Sequence, residues 1–166
     1  MKVKDLARYS ILLAIAFIFS YIEHLVTIPF LFPGAKLGLA NAVGLIVLYY
    51  YGPKEYALIG FLRVLLVALL RTGIGSIAFV LSLSGWFVST LFVLLIYSFK
   101  KVSIYGLSMS SSVMHGVGQI IMVVAIYSLP EMINYLPILM VSGLISGNVL
   151  ALLCSELFKK LDKVMR

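Results

Sequence analysis

Charged residues are scarce in this sequence, and the negatively charged ones are fewer than the positively charged ones. Only 11% of the 166 residues are charged, whereas 63% are apolar. A soluble domain of this size would have more apolar side chain than interior in which to bury it, so the composition predicts a protein of the lipid bilayer. Aspartate occurs only at Asp5 and Asp162, near the two ends of the chain. The sequence therefore has no aspartate-rich motif that could hold magnesium and a diphosphate.

Other motifs of enzymes and of metal sites are missing as well. The sequence has no GxxxxGK[ST] motif, so it cannot hold ATP phosphates as P-loop proteins do, and any ATP-driven step would depend on a partner. It has no HExxH motif, and its histidines are too far apart to indicate a metal site. The single cysteine, Cys154, excludes a disulfide and is interpreted as a packing residue. We expect neither an autonomous enzyme nor a bound metal or cofactor.

Long apolar runs of roughly 20 residues alternate with short clusters of Lys and Arg, which is typical of transmembrane helices. The first run follows a basic start and resembles a signal peptide, but it lacks a small-x-small cleavage site and is interpreted as a retained helix. The prediction is an all-α polytopic membrane protein, one transmembrane domain over residues 1–166. Its six spans are expected at residues 7–26, 34–51, 55–71, 75–99, 103–129 and 136–158.

The cations are unequally divided between the two ends of these spans. One side would hold only Lys36 and Arg71, and Arg63 would lie within the third span. The other side would hold Lys2, Lys4, Arg8, Lys54, Lys100, Lys101, Lys159, Lys160, Lys163 and Arg166. Because cytoplasmic loops are rich in Lys and Arg, both termini are predicted to face the cytoplasm from the inner membrane. The net charge of +7 then reflects membrane orientation, not nucleic-acid binding.

Most of the strongly polar residues within the spans fall between mid-membrane and the outer surface when they are placed by span direction. A charged side chain at mid-bilayer costs roughly 3 kcal/mol on insertion scales, so such groups tend to face a cavity, a partner or a ligand. Their clustering predicts a small-molecule pocket in the outer half. The residues are Glu23, Lys36, Asn41, Arg63, Arg71, Ser82, Ser84, His115, Gln119 and Asn148.

The charges of this cluster indicate an anionic ligand. The cluster contains three cations, Lys36, Arg63 and Arg71, but only one carboxylate, Glu23. If Glu23 pairs with one cation, the other two remain to bind a carboxylate or phosphate group of a ligand. Trp86 could stack on a ring or pack against an apolar tail.

Structural interpretations of the same residues remain open. Arg63 could satisfy helix carbonyls or pair with Glu23, and Lys36 could extend to the membrane interface. His115 and Gln119 could join helices by hydrogen bonds, and Asn41 and Asn148 could serve packing.

Four stretches resemble a known family: PGAKLGLAN at 33–41, the arginines at 63 and 71, LSLSGW at 81–86 and HGVGQ at 115–119. The sequence is similar, over nearly its whole length, to the heptaprenyl diphosphate synthase component I family. Gly116 stands where that family usually has Asn. The family name suggests a subunit of a prenyl-chain synthase.

This family in turn resembles the S components of energy-coupling factor transporters, small six-helix proteins that capture vitamins or related compounds from outside. The resemblance implies an S-component-like bundle. It also implies that small residues of the first helix, here Ser10 and Ala14, dock on a transmembrane coupling subunit attached to two ATPases.

Two functions follow as expectations. In the first, the chain is the substrate-capture subunit of a transporter and binds a small anionic, vitamin-like or isoprenoid-related molecule. In the second, it is a non-catalytic membrane subunit that works with a soluble prenyl synthase. A scaffold whose polar residues only join helices is a third possibility. The predicted ligand-binding residues are Lys36, Asn41, Arg63, Arg71, Ser84, Trp86, His115, Gln119 and Asn148.

Overall fold

Six α-helices follow one another in a computed structural model that describes residues 3–25 and 38–165, with side chains for 3–23 and 38–160. The helices are α1 (Val3–Leu25), α2 (Leu39–Tyr50), α3 (Pro53–Val67), α4 (Ile77–Ser98), α5 (Ile104–Tyr127) and α6 (Leu136–Met165). A π-helical turn, Ala68–Thr72, extends α3, and a 3₁₀ segment, Pro130–Tyr135, precedes α6. The all-α prediction with six membrane helices is confirmed, and Lys36 lies outside the described residues.

The helix boundaries follow from local chemistry. Gly38 precedes α2 with a φ of 79°, a left-handed conformation that glycine adopts without steric cost. Pro53 begins α3, where its missing N–H would have had no intrahelical partner. Ser76 and Ser103 cap α4 and α5, and their hydroxyls accept hydrogen bonds from the N–H groups of Phe79 (3.1 Å) and Gly106 (3.3 Å). From α2 onward, short links that contain glycine or polar residues therefore separate the helices.

Glycines allow α5 to pack closely between α4 and α6. A β-carbon added to Gly118 of α5 would lie 2.7 Å from the carbonyl oxygen of Ser84 in α4. A β-carbon added to Gly147 of α6 would lie 2.7 Å from Cα of Met109 in α5. The Ser108 hydroxyl also donates a 2.7 Å hydrogen bond to the carbonyl oxygen of Gly147. Small residues and hydrogen bonds across helices are the usual means of helix association in lipid.

The outer surface of the bundle is strongly apolar. Ile11, Leu91, Ile145 and Leu153 each expose more than half of their surface. Among the described residues, four helical stretches are long and apolar enough to span a membrane, in α1, α4, α5 and residues 130–160, while the apolar helix α2 is shorter. Cys154, at 2% exposure, is buried in the apolar core, as its interpretation as a packing residue predicts. Lipid is the environment that such a surface requires.

Candidate functional site

A cavity of about 100 Å³ lies between the helices, and each of the six contributes to its lining. We call it the large cavity. It lies toward the C-terminal end of α1 and the N-terminal part of α6, and so away from the chain termini. Besides Gly, Leu and Val, its lining consists of Ser20, Glu23, Asn41, Arg63, Ser82, Ser112, His115, Gln119, Ser142 and Ser146. Ten polar side chains facing one space within a membrane bundle are typical of a binding site for a polar molecule.

Glu23 and Arg63 are the oppositely charged residues of this lining. The carboxylate of Glu23 accepts a hydrogen bond from the backbone N–H of Leu39, which joins the end of α1 to the start of α2. Glu23 is also close enough to Arg63 for electrostatic attraction between the carboxylate and the guanidinium. Arg63 is half-buried on α3, where a charge in a low-dielectric setting needs such a partner. This attraction matches one of the structural interpretations of Arg63 and offsets part of its charge.

The α5 side of the large cavity carries Ser112, His115 and Gln119, spaced three and four residues apart on one helix face. Gly85 of α4 provides the space for the imidazole, because a β-carbon there would lie 2.8 Å from Cε1 of His115. The hydroxyl oxygen of Ser112 is buried and has no hydrogen-bond partner among the described residues. Buried hydroxyls are normally paired, so this side of the cavity has hydrogen-bonding capacity to offer a bound molecule.

A second space, the small cavity, adjoins the large one and measures about 20 Å³. Asn41 and Arg63 line both cavities. Trp86 lines only the small one; its ring centroid is 5.2 Å from that of Phe61, and Nε1 is buried without a hydrogen-bond partner in the described part of the chain. Tyr56, which is hydrogen-bonded with Ser111 and Thr90, also lines it.

Residues 12–157 match the family described as heptaprenyl diphosphate synthase component I. The chain belongs to this family. A solved structure described as the S component of a bacterial ECF transporter has a TM-score of 0.72 to it, with 21% sequence identity and 98% of each chain covered. A comparison with curated proteins gives no match. The likeness in fold over both whole chains confirms the S-component-like bundle. The family description names one component of a synthase, in line with the prediction that the chain is not an autonomous enzyme.

Five of the predicted ligand-binding residues of this family member line the two cavities. Asn41, Arg63, His115 and Gln119 line the large cavity, and Trp86 lines the small one. The four residues of the large cavity come from α2, α3 and α5, so their proximity results from the tertiary fold.

Three other predicted residues are not among the lining residues. Arg71 is exposed, and its guanidinium carbon lies 5.6 Å from the ring centroid of Tyr21 on α1, a cation–π distance. Ser84 is buried and donates a 3.0 Å hydrogen bond to the carbonyl oxygen of Leu81 in its own helix. Asn148 is on the exposed side of α6. Lys36 falls in 26–37, outside the described residues, and its role stays a prediction.

Several residues that line the cavities were not predicted from the sequence, namely Ser20, Ser112, Ser142 and Ser146 of the large cavity and Gly60 of the small one. Ser112 precedes His115 by one helical turn and faces the same cavity. Gly60 lies next to the indole of Trp86, where a β-carbon would be 2.6 Å from Nε1. A signal for Gly60 is present in the sequence, since Tyr56, Gly60 and Arg63 are spaced four and three residues apart and so share one face of α3.

The predicted docking residues are on the outer surface of the bundle. Ser10 and Ala14 are both exposed on α1, as is Ala7, and they are spaced so that they lie along one side of the helix.

Proposed function

We propose that this chain is the substrate-capture subunit of a membrane transporter and that its substrate binds in the large cavity. The observation that carries the proposal is the convergence of Arg63, Asn41, His115 and Gln119 on one space inside a bundle with the S-component fold. A guanidinium, two amides and an imidazole can donate or accept hydrogen bonds without a covalent step. Binding and release, with no chemical conversion, is the activity that this lining supports.

The proposed substrate is small and carries an acidic group, such as a carboxylate or phosphate. Arg63 is the cation of the described cavity lining, and the planar fork of a guanidinium suits two oxygens of such a group. Glu23 opposes part of that charge. Further cations near the same end of the bundle would therefore strengthen binding of the acidic group. We propose Lys36 and Arg71 for this role. The remaining part of the substrate, vitamin-like or isoprenoid-related, would occupy the rest of the site.

The proposed orientation places both termini in the cytoplasm and the large cavity in the outer half of the cytoplasmic membrane. The ten cations at the side of the chain termini support this orientation by the positive-inside rule. The cavity lining then belongs to the opposite half of each helix. A substrate could enter from outside without crossing the cation-rich surface.

The proposed partners are a transmembrane coupling subunit and two ATPases, because the chain itself has no P-loop. Ser10 and Ala14 are proposed to contact the coupling subunit. Their small side chains on the exposed side of α1 support this role, since small residues let two membrane helices approach closely.

Native mass spectrometry tests the proposal. The wild-type protein, purified in a mild detergent from its own membranes, is expected to carry a small molecule of fixed mass with an acidic group. Arg63→Gln should reduce its occupancy at least tenfold, because a charge-assisted hydrogen bond is lost. Arg8→Gln at the opposite end of the bundle removes the same charge and should leave occupancy unchanged. No retained molecule in the wild type, or equal loss in both variants, would contradict the proposal.

A second candidate function rests on the description of the family, a component of heptaprenyl diphosphate synthase. In this alternative, the chain is a non-catalytic membrane subunit that presents a prenyl diphosphate to a soluble catalytic partner. It requires that the purified chain raise the rate of prenyl-chain synthesis by that partner. It also requires a cationic site reachable from the cytoplasm, so a rate increase that survives Arg63→Gln would point to a site outside the large cavity.

A further inference from the structure

The small cavity lies one helical turn deeper in the bundle than the large one. On α1 the lining moves from Ser20 to Ala16, and on α2 from Asn41 to Gly44. On α4 it moves from Ser82 to Trp86. Each step is three or four residues, about 5 Å along a helix, and each points toward the side of the chain termini. The two cavities are therefore stacked, with Asn41 and Arg63 at the level that they share.

Nε1 of Trp86 is the unsatisfied donor of the small cavity. It is buried, and no acceptor among the described residues is within hydrogen-bonding distance. The indole nitrogen can only donate, and nearly all buried polar groups in proteins have a partner. Gly60 packs directly against this nitrogen, because a β-carbon there would lie 2.6 Å from Nε1. The absence of a side chain at Gly60 therefore lets the indole lie against α3, where it lines the small cavity.

The size and lining of the small cavity define what it can accept. A volume of about 20 Å³ holds one water-sized group. Trp86 and Arg63 supply donors, while Asn41, Ser89 and Ser111 can donate or accept. A hydrocarbon end would leave the indole N–H without a partner, whereas a single oxygen or an unprotonated ring nitrogen would accept its hydrogen bond.

We propose that the small cavity is the inner end of the ligand site, where Nε1 of Trp86 donates a hydrogen bond to an acceptor atom of the bound molecule. This inference rests on the proposed function and narrows its substrate class. The molecule carries a carbonyl oxygen, a hydroxyl oxygen or a ring nitrogen at the end that enters first. An isoprenoid tail does not enter this end.

The experiment uses the fact that Trp86 is the only tryptophan of the chain. Residue-specific incorporation of β-(3-benzothienyl)alanine replaces the N–H group by sulfur at this one position and keeps the ring shape. The probe is the compound released by methanol from the purified wild-type protein, with its mass determined, and its dissociation constant is measured by calorimetry on ligand-depleted protein. The benzothienyl protein and Trp86→Phe should each bind it about fivefold to tenfold more weakly. Incorporation of 5-fluorotryptophan, which retains the N–H group, should leave binding within about twofold.

A second measurement follows the single indole N–H signal by NMR in ¹⁵N-tryptophan-labelled protein. Addition of the released compound should shift this signal downfield and slow its exchange with water. Equal affinity of the benzothienyl protein and the wild type would overturn the inference, as would a signal that still exchanges magnetisation with water in the loaded protein. If Arg63→Gln weakens binding and the benzothienyl protein does not, this inference fails and the proposed function stands. If the wild-type protein releases no compound, both fail.

Discussion

Gly85 of α4 and His115 of α5 are in such close contact that a β-carbon on Gly85 would lie 2.8 Å from Cε1 of the imidazole and 2.9 Å from both ring nitrogens. The ring therefore lies over the backbone of α4, in space that only glycine leaves open. His115 lines the large cavity from this position. One residue without a side chain thus determines where a polar ring of the candidate site is held.

Gly85→Ala should move the imidazole away from its position in the large cavity. A β-carbon below 3.0 Å from the ring cannot be accommodated without a shift, and overpacking of this kind costs typically 1–3 kcal/mol. We expect a lower thermal unfolding temperature in detergent and at least a fivefold loss of the molecule retained by the wild type. Gly106→Ala is the control, because its β-carbon would meet Cγ1 of Val102 at a similar 2.8 Å, near the N-terminal end of α5 and outside the lining of both cavities. Equal retention in the two variants would contradict a role of His115 in binding.

Ser108→Ala should destabilise the packing of α6 on α5. The hydroxyl of Ser108 is buried and bonds to the carbonyl oxygen of Gly147, which would lose its side-chain donor. We expect a loss of about 1 kcal/mol in the free energy of unfolding, measured by denaturant titration in mixed micelles. Ser98→Ala is the matched control, because that exposed hydroxyl bonds at 2.6 Å within its own helix, to the carbonyl oxygen of Leu95. A similar loss in both variants would indicate that the hydrogen bond between α5 and α6 contributes nothing to the free energy of unfolding.

Glu23→Gln should strengthen binding of an acidic molecule in the large cavity. The substitution removes the negative charge that opposes Arg63 and keeps an oxygen for the N–H of Leu39. The carboxylate of Glu23 would also repel the acidic group of the bound molecule. At an effective dielectric constant of about 20, loss of this repulsion should raise the affinity for the compound released from the wild type roughly threefold to tenfold. Calorimetry on ligand-depleted protein measures this change. Glu55→Gln, at the other end of the bundle, should leave affinity unchanged, and weaker binding by Glu23→Gln would show that the carboxylate itself holds the molecule.

The helices could be predicted from the sequence because hydropathy and end signals coincide. The predicted spans at 75–99 and 103–129 correspond to α4 and α5, each of which begins after a capping serine. The third span, predicted as one helix to residue 71, instead ends in a π-helical turn from Ala68 to Thr72. A change in the hydrogen-bond register of the backbone leaves no mark on the pattern of apolar residues, so this turn could not have been predicted.

The depth of a site residue could be predicted, but its direction around the helix could not. Span boundaries give the depth, and on that basis Ser82 and Ser84 are both predicted between mid-membrane and the outer surface. Successive positions are rotated by about 100°, so Ser84 points about 200° away from Ser82, which lines the large cavity. Asn148 is likewise rotated by about 200° from Ser146 of the same cavity. Which direction faces the interior depends on the neighbouring helix, and that is a property of the tertiary structure.

The exposed small residues of α1 lead to a prediction about assembly. Ala14 lies on the outer surface between the exposed Ile11 and Ile18, and it is not among the residues lining either cavity. If a membrane helix of the coupling subunit packs here, Ala14→Phe should prevent close approach of the two backbones. We expect at least a tenfold loss of ATPase subunits that co-purify with the tagged chain, with the retained molecule unchanged by native mass spectrometry.

The control for this prediction is Leu144→Phe on α6, which enlarges a side chain that is 47% exposed and faces outward. Because phenylalanine is as compatible with lipid as leucine, this variant should keep both the ATPase subunits and the retained molecule. Loss of the ATPase subunits in both variants would mean that the contact extends around the bundle or that bulk on any face is harmful. If both variants kept the ATPase subunits, α1 would not be part of the interface with the coupling subunit. Loss of the retained molecule only in Ala14→Phe would instead link α1 to the cavities, since Ser20 and Glu23 of the same helix line the large one.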